Sequence, residues 1–166
     1  MRIILIGFMG SGKTTIAKAL AHDLGFKFID IDAEVEKSEQ KTIANIFEVN
    51  GEEYFRKIET NELKKLIDKK FIVVASGGGT PCSESNIEFI KNNFTSVFLN
   101  VDSEQLLTRL KKKGNKRPLI IESKNIDNTV LALLQKRMIF YNQADIIIDI
   151  IDSNTKTVVN EIMSKL

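Results

Sequence analysis

Residues 7–14 read Gly-Phe-Met-Gly-Ser-Gly-Lys-Thr, which matches G-x-x-x-x-G-K-[ST] at every fixed position. In this pattern glycines let backbone N–H groups turn toward phosphate oxygens, the lysine reaches the β- and γ-phosphates, and the hydroxyl coordinates Mg²⁺. Gly10, Ser11, Gly12, Lys13, Thr14 and Thr15 are therefore candidates for binding a nucleoside triphosphate, with Lys13 also a catalytic candidate and Thr14 a metal ligand. A second stretch, Phe-Ile-Asp-Ile-Asp at 28–32, reads as an apolar strand with Asp30 and Asp32 on one face. Carboxylates that close raise each other's pKa unless something positive stands nearby. A third stretch, Gly77-Gly78-Gly79, follows an apolar run and would let backbone meet a ligand with no side chain in the way.

The elements that hold these residues are legible as runs and periods. Residues 2–6, 71–75, 96–101 and 145–151 are continuous apolar runs rich in Ile and Val. Such runs predict strands buried on both faces, as in a parallel sheet. Helical patterns lie between them. Ile16, Leu20 and Leu24 recur at spacing four in 13–24, with Gly25 as the stop. Residues 52–69 place Phe55, Ile58, Leu63, Leu66 and Ile67 on one stripe, and 83–93 open with Ser83 as an N-cap. Residues 103–112, 125–143 and 155–166 complete the set. Strands alternating with helices predict an α/β fold with right-handed crossovers. Residues 31–69 form a long, mostly helical insertion, and 109–123 a basic excursion containing Gly114 and Pro118. Insertions at strand ends commonly line the ligand crevice.

Composition narrows the class. A chain of 166 residues, 43% hydrophobic and 28% charged, is large enough for one domain with its own core. Its net charge of +2 gives no global argument for nucleic acid or membrane binding. No stretch approaches the ~20 apolar residues that span a bilayer. The apolar N-terminal run is short and is soon followed by Lys13 and Lys18, unlike a signal peptide, so a cytoplasmic location is expected. Cys82 is the one cysteine, which excludes an intramolecular disulfide and any multi-cysteine metal site. Asn115-Lys116-Arg117-Pro118 begins like a guanine-reading [NT]-K-x-D stretch but carries proline at the aspartate position. The basic cluster from Arg109 to Arg117 has no interleaved aromatic residues for base stacking. A small kinase acting on a small molecule is what remains.

The combination of the 7–14 loop, "FIDID", "FRKIE" at 55–59, "SGGG" at 76–79, "RPL" at 117–119 and "KRMIFY" at 136–141 resembles shikimate kinase along nearly the whole chain. Another small P-loop kinase, such as a gluconate kinase, would share the loop but not the joint pattern. The resemblance implies a P-loop NTP hydrolase fold related to nucleoside monophosphate kinases: a five-stranded parallel sheet flanked by helices in a single domain, 1–166. It also implies an acceptor-binding helical insertion at about 31–60 and a mobile lid at about 109–123. The implied reaction is ATP-dependent phosphorylation of the 3-hydroxyl of shikimate to shikimate 3-phosphate, on the pathway to chorismate and aromatic amino acids. The implied ligands are ATP, shikimate and one Mg²⁺, with the chain a monomer.

Carried over residue by residue, the resemblance makes Asp30 a partner of Thr14 at the metal. Asp32 binds acceptor hydroxyls and joins Lys13 and Arg117 as a catalytic residue. Arg56 and Arg137 hold the shikimate carboxylate, a task for which guanidinium forks suit. Gly77, Gly78 and Gly79 approach the ring. Arg117 reaches both the transferring phosphate and the acceptor. Two departures stand out: Ile139 occupies a position where the family usually has proline, and Leu110 one where it usually has an adenine-stacking arginine, with Arg109 one residue earlier.

Overall fold

Apolar runs become strands here because helices cover both faces of the sheet. The computed structural model describes residues 1–112, 125–151 and 154–166. Strands β1 (Arg2–Ile6), β2 (Lys27–Asp30), β3 (Ile72–Ala75), β4 (Thr95–Val101) and β5 (Ile146–Ile150) form one parallel sheet in the order β2-β3-β1-β4-β5. The helices are α1 (Lys13–Leu24), α2 (Ile31–Glu39), α3 (Ile43–Lys64), α4 (Glu84–Asn93), α5 (Ser103–Lys112), α6 (Ile126–Tyr141) and α7 (Thr155–Lys165). The expected α/β architecture is the observed one. Ile3 to Ile6 in the central strand and Ile72 to Ala75 beside it are buried throughout. Outermost β5 departs from full burial, since Ile147 and Asp149 alternate outward on the side left open at the sheet's edge.

Register sets the site. Leu5 and Asp30 both lie level with Ala75, so the chain leaves β1, β2 and β3 at neighbouring points on one edge of the sheet. Ligands of open α/β sheets bind at that carboxyl edge. The helix after β1 ends as the sequence predicts: Gly25 takes φ 67 and its N–H donates to the His22 carbonyl, while the Phe26 N–H reaches Ala21.

Three local readings change. The insertion is two helices, α2 and an α3 that starts earlier than expected and bends at Gly51, whose φ of 81 and ψ of 172 are not helical. Past Lys64 the chain tightens into a 3₁₀ turn, Lys65–Asp68, which carries Ile67 off the apolar stripe to 38% exposure. Most consequential, β2 stops at Asp30 and α2 begins at Ile31, so Asp30 and Asp32 do not share a strand. Among the described residues no helix is long and apolar enough to cross a membrane.

Candidate active site

The phosphate end is built by the turn from β1 into α1. Gly10 and Gly12 take φ 85 and φ 96, left-handed conformations that a side chain would strain. Gly12 at the N-cap of α1 offers no side-chain cap and the first turn carries no acid, so the N–H groups and positive end of the helix face the cleft. That is an anion site in the making. Lys13 curls back over the loop, its Nζ donating to the Gly7 and Phe8 carbonyls at 2.9 Å each. The Thr14 hydroxyl donates to Asp30 Oδ2 at 2.9 Å.

The two acids of the "FIDID" stretch owe their closeness to a helix start. Asp30 is the N-cap of α2, and its Oδ1 accepts the Asp32 N–H at 3.1 Å. Asp32 follows in the first turn. Both carboxylates therefore sit at the positive end of a helix, which favours their charge.

The acceptor end is built by α3, the turn after β3, and α6. Arg56 on α3 donates through Nη1 to Glu59 at 2.7 Å and through Nε and Nη2 to Glu52. Burial works against its charge, but Glu59 and Glu52 outweigh that and raise its pKa, so it stays a guanidinium. Glu59 is itself buried, with its other oxygen accepting from Thr80 Oγ1 at 2.6 Å. Arg137 on α6 is 6% exposed and lies over the Phe8 ring at 5.6 Å. Its Nη1 has no hydrogen-bond partner among the described residues. A buried charged donor in that condition suits an anionic ligand. The glycine run lies between these groups. A Cβ at Gly77 would strike Glu59 and come within 2.7 Å of Asp32 Oδ1, and one at Gly79 would fall 2.6 Å from Arg56 Nη2. A side chain at either position would have to displace these functional groups.

A cleft of about 430 Å³ joins the two ends, lined by Gly10, Gly12, Lys13, Thr14 and Thr15 on one side and Asp30, Asp32, Arg56, Gly77, Gly78, Gly79 and Arg137 on the other. The sequence profile of the shikimate kinases matches residues 9–166 of this chain. The chain belongs to the shikimate kinase family. It is 39% identical over 164 residues to the shikimate kinase of Persephonella marina, covering 99% of this chain and 98% of that one. The structure of the Acinetobacter baumannii shikimate kinase in complex with shikimate superposes with a TM-score of 0.92 at 35% identity, over 98% of this chain and 90% of that one. A gluconokinase from Sinorhizobium meliloti, at 15% identity and a TM-score of 0.61 over 99% of this chain and 90% of that one, shares the fold alone.

Within this shikimate kinase family member, Ser11 is the one loop candidate that does not line the cleft: it is buried beneath the loop. Arg109 and Leu110 lie in the last turn of α5 beside the 7–14 loop, Arg109 reaching the Gly10 carbonyl at 3.4 Å while Leu110 packs inward against Gly10. Arg117, and the expected lid beyond residue 112, lie outside the described residues. The sequence reading missed Glu59, Thr80 and Tyr141. Glu59 stood inside the quoted "FRKIE", three residues after Arg56, a spacing that puts both on one helix face. The hydroxyl of Thr14 and the carboxylate of Asp30 are hard oxygen donors suited to Mg²⁺, which takes few protein ligands and draws the rest from phosphate and water. No cluster of three or more metal-ligating acids, histidines or cysteines exists among the described residues.

Proposed function

We propose that this chain transfers the γ-phosphoryl group of ATP to the 3-hydroxyl of shikimate, giving shikimate 3-phosphate for chorismate and aromatic amino-acid synthesis. The observation that carries the reading is the buried Arg137 with its unpartnered Nη1, set across one cleft from the nucleotide loop. A carboxylate on the acceptor satisfies that donor, and Arg56 supplies the second fork. The Acinetobacter baumannii relative, described with shikimate bound, supports this choice of acceptor.

Phosphoryl transfer of this kind is mainly positioning and charge stabilisation, because the transition state is loose. Thr14 and Asp30 would hold Mg²⁺, which when bound neutralises charge on the triphosphate. Lys13 leaves the Gly7 and Phe8 carbonyls to meet the γ-phosphate. Asp32, level with the glycine run, orients the attacking hydroxyl and accepts its proton late. Arg117 keeps the role the family pattern implies, a charge partner of the moving phosphoryl group. Chain elements closing over both ligands exclude water and limit wasteful hydrolysis.

The test is a coupled ADP-release assay on the purified chain with shikimate, gluconate and nucleoside monophosphates as separate acceptors. Turnover with shikimate alone is expected. Turnover with another acceptor and none with shikimate would overturn the assignment. ATP binding without turnover on any acceptor would instead mark a nucleotide-binding regulatory module.

A further inference from the structure

A second cavity, of about 680 Å³, is enclosed by β4, β5, α5 and α6 and shares no lining residue with the cleft. Its size is that of a small-molecule site. Apolar walls come from Phe98 on β4, Leu106 on α5, and Leu134 and Met138 on α6. Two further lining residues, Leu131 and Ile151, are 40% and 75% exposed. Large apolar side chains left to water beside a cavity suit the apolar body of a ligand.

Strand register gives the cavity a polar wall. Asn100 on β4 lies level with Asp149 on β5, and level residues of neighbouring strands project to one face. The Asn100 Nδ2 donates to Asp149 Oδ1 at 2.7 Å, and the second carboxylate oxygen has no partner among the described residues. Asp102 lines the same cavity at the start of α5, its Oδ1 accepting the Glu104 N–H at 2.8 Å. No described lysine, arginine or histidine lines the cavity, and neither acid pairs with a described cation. An acid on an outer strand can discourage sheet pairing, but that task needs neither a cavity nor a second acid lining it. Two carboxylates beside apolar walls, with no cation to neutralise them, complement a positive charge on an apolar body. We propose that this cavity binds a small amphipathic cation, an alkyl or aryl amine. Its body packs against Leu134 and Met138, and its ammonium donates to Asp149 and Asp102. The site stands apart from the catalytic groups and does not depend on which acceptor the cleft takes.

The probe is 4-phenylbutylamine, with 4-phenylbutan-1-ol and 5-phenylpentanoate as its neutral and anionic counterparts. Each is titrated into the ¹⁵N-labelled protein at neutral pH. With the amine, saturable shifts are expected at the backbone amides of Ser103, Leu106 and Leu134 and at the Asn100 side-chain amide, with Gly10 and Gly12 unmoved. The alcohol should bind about fivefold more weakly, because both acids are solvent-exposed and their charge is partly screened, and the pentanoate more weakly still. Asp149→Asn keeps the side-chain shape and an acceptor for Asn100, and should remove most of the amine's advantage over the alcohol. Equal affinity of the wild-type protein for amine and alcohol would overturn the cation assignment. An undiminished advantage in Asp149→Asn would overturn the role of Asp149. Shifts at Gly10 and Gly12 in place of those at Ser103 and Leu134, or no saturable shift up to ~10 mM amine, would overturn the site itself. The three wild-type titrations decide the proposal even if Asp149→Asn does not fold.

Discussion

Arg56 and Arg137 face the same acceptor cleft but are held differently. Arg56 is braced by Glu52 and Glu59, whereas Arg137 keeps a buried Nη1 without a partner among the described residues. Arg137→Ala is therefore expected to raise the shikimate KM by at least ~10-fold and leave the ATP KM in place, read from two substrate titrations. Equal effects on both constants would make Arg137 structural. If Lys13 acts as proposed, Lys13→Ala should lower kcat at least ~100-fold with an unchanged circular dichroism spectrum, because its charge would act on the moving phosphoryl group rather than on packing. Cys82 behaves in the opposite sense. Burial pushes its thiol up, more than Arg137, Tyr141 and Arg56 pull it down, so the reactive thiolate is scarce at neutral pH. Its labelling by a disulfide reagent should be slow at pH 7 and still climbing at pH 9. A rate that levels off below about pH 8 would contradict the burial argument.

Helix and strand ends decide what those residues can do. The start of α2 at Ile31 turns two adjacent acids into an N-cap and a first-turn residue, giving each its own neighbour: Thr14 for Asp30, and the glycine run for Asp32. Asp32→Asn should accordingly retain Mg·ATP binding by calorimetry yet lose most phosphoryl transfer. Loss of metal-dependent ATP binding instead would reverse the roles of the two aspartates. The turn after β3 is equally exacting. A methyl group at Gly79 cannot coexist with the Arg56 guanidinium as placed, so Gly79→Ala should weaken shikimate binding at least ~10-fold while sparing ATP.

The molecule as a whole holds these ends in register through the sheet. Ile4 in the central strand has no exposed surface, and Ile4→Ala should cost about 2–5 kcal/mol through lost burial and a residual cavity. The melting temperature should fall accordingly, while both KM values of the folded fraction hold.

Much of this was readable in the residues themselves. The Gly7–Thr14 pattern, the unalternating Ile and Val runs, the Gly25 stop and the Ser83 cap each act over a few neighbours, so local chemistry suffices to determine them. The joint occurrence of "FRKIE", "SGGG" and "KRMIFY" identified the family for the same reason: each motif is short and its residue types are constrained by a ligand. What the residues could not convey is contact across the chain. Alternation at 28–32 suits a strand as well as a strand that yields to a helix after Asp30, and packing of Ile31 and Val35 into the core selects the second. The bond from Thr80 to Glu59 and that from Tyr141 to Gly78 join segments with no sequence signal linking them. Sequence alone pointed to the groups proposed to meet phosphate and carboxylate. The tertiary structure alone decided how they are aimed, because the direction of a buried donor is set by partners that only folding brings within reach.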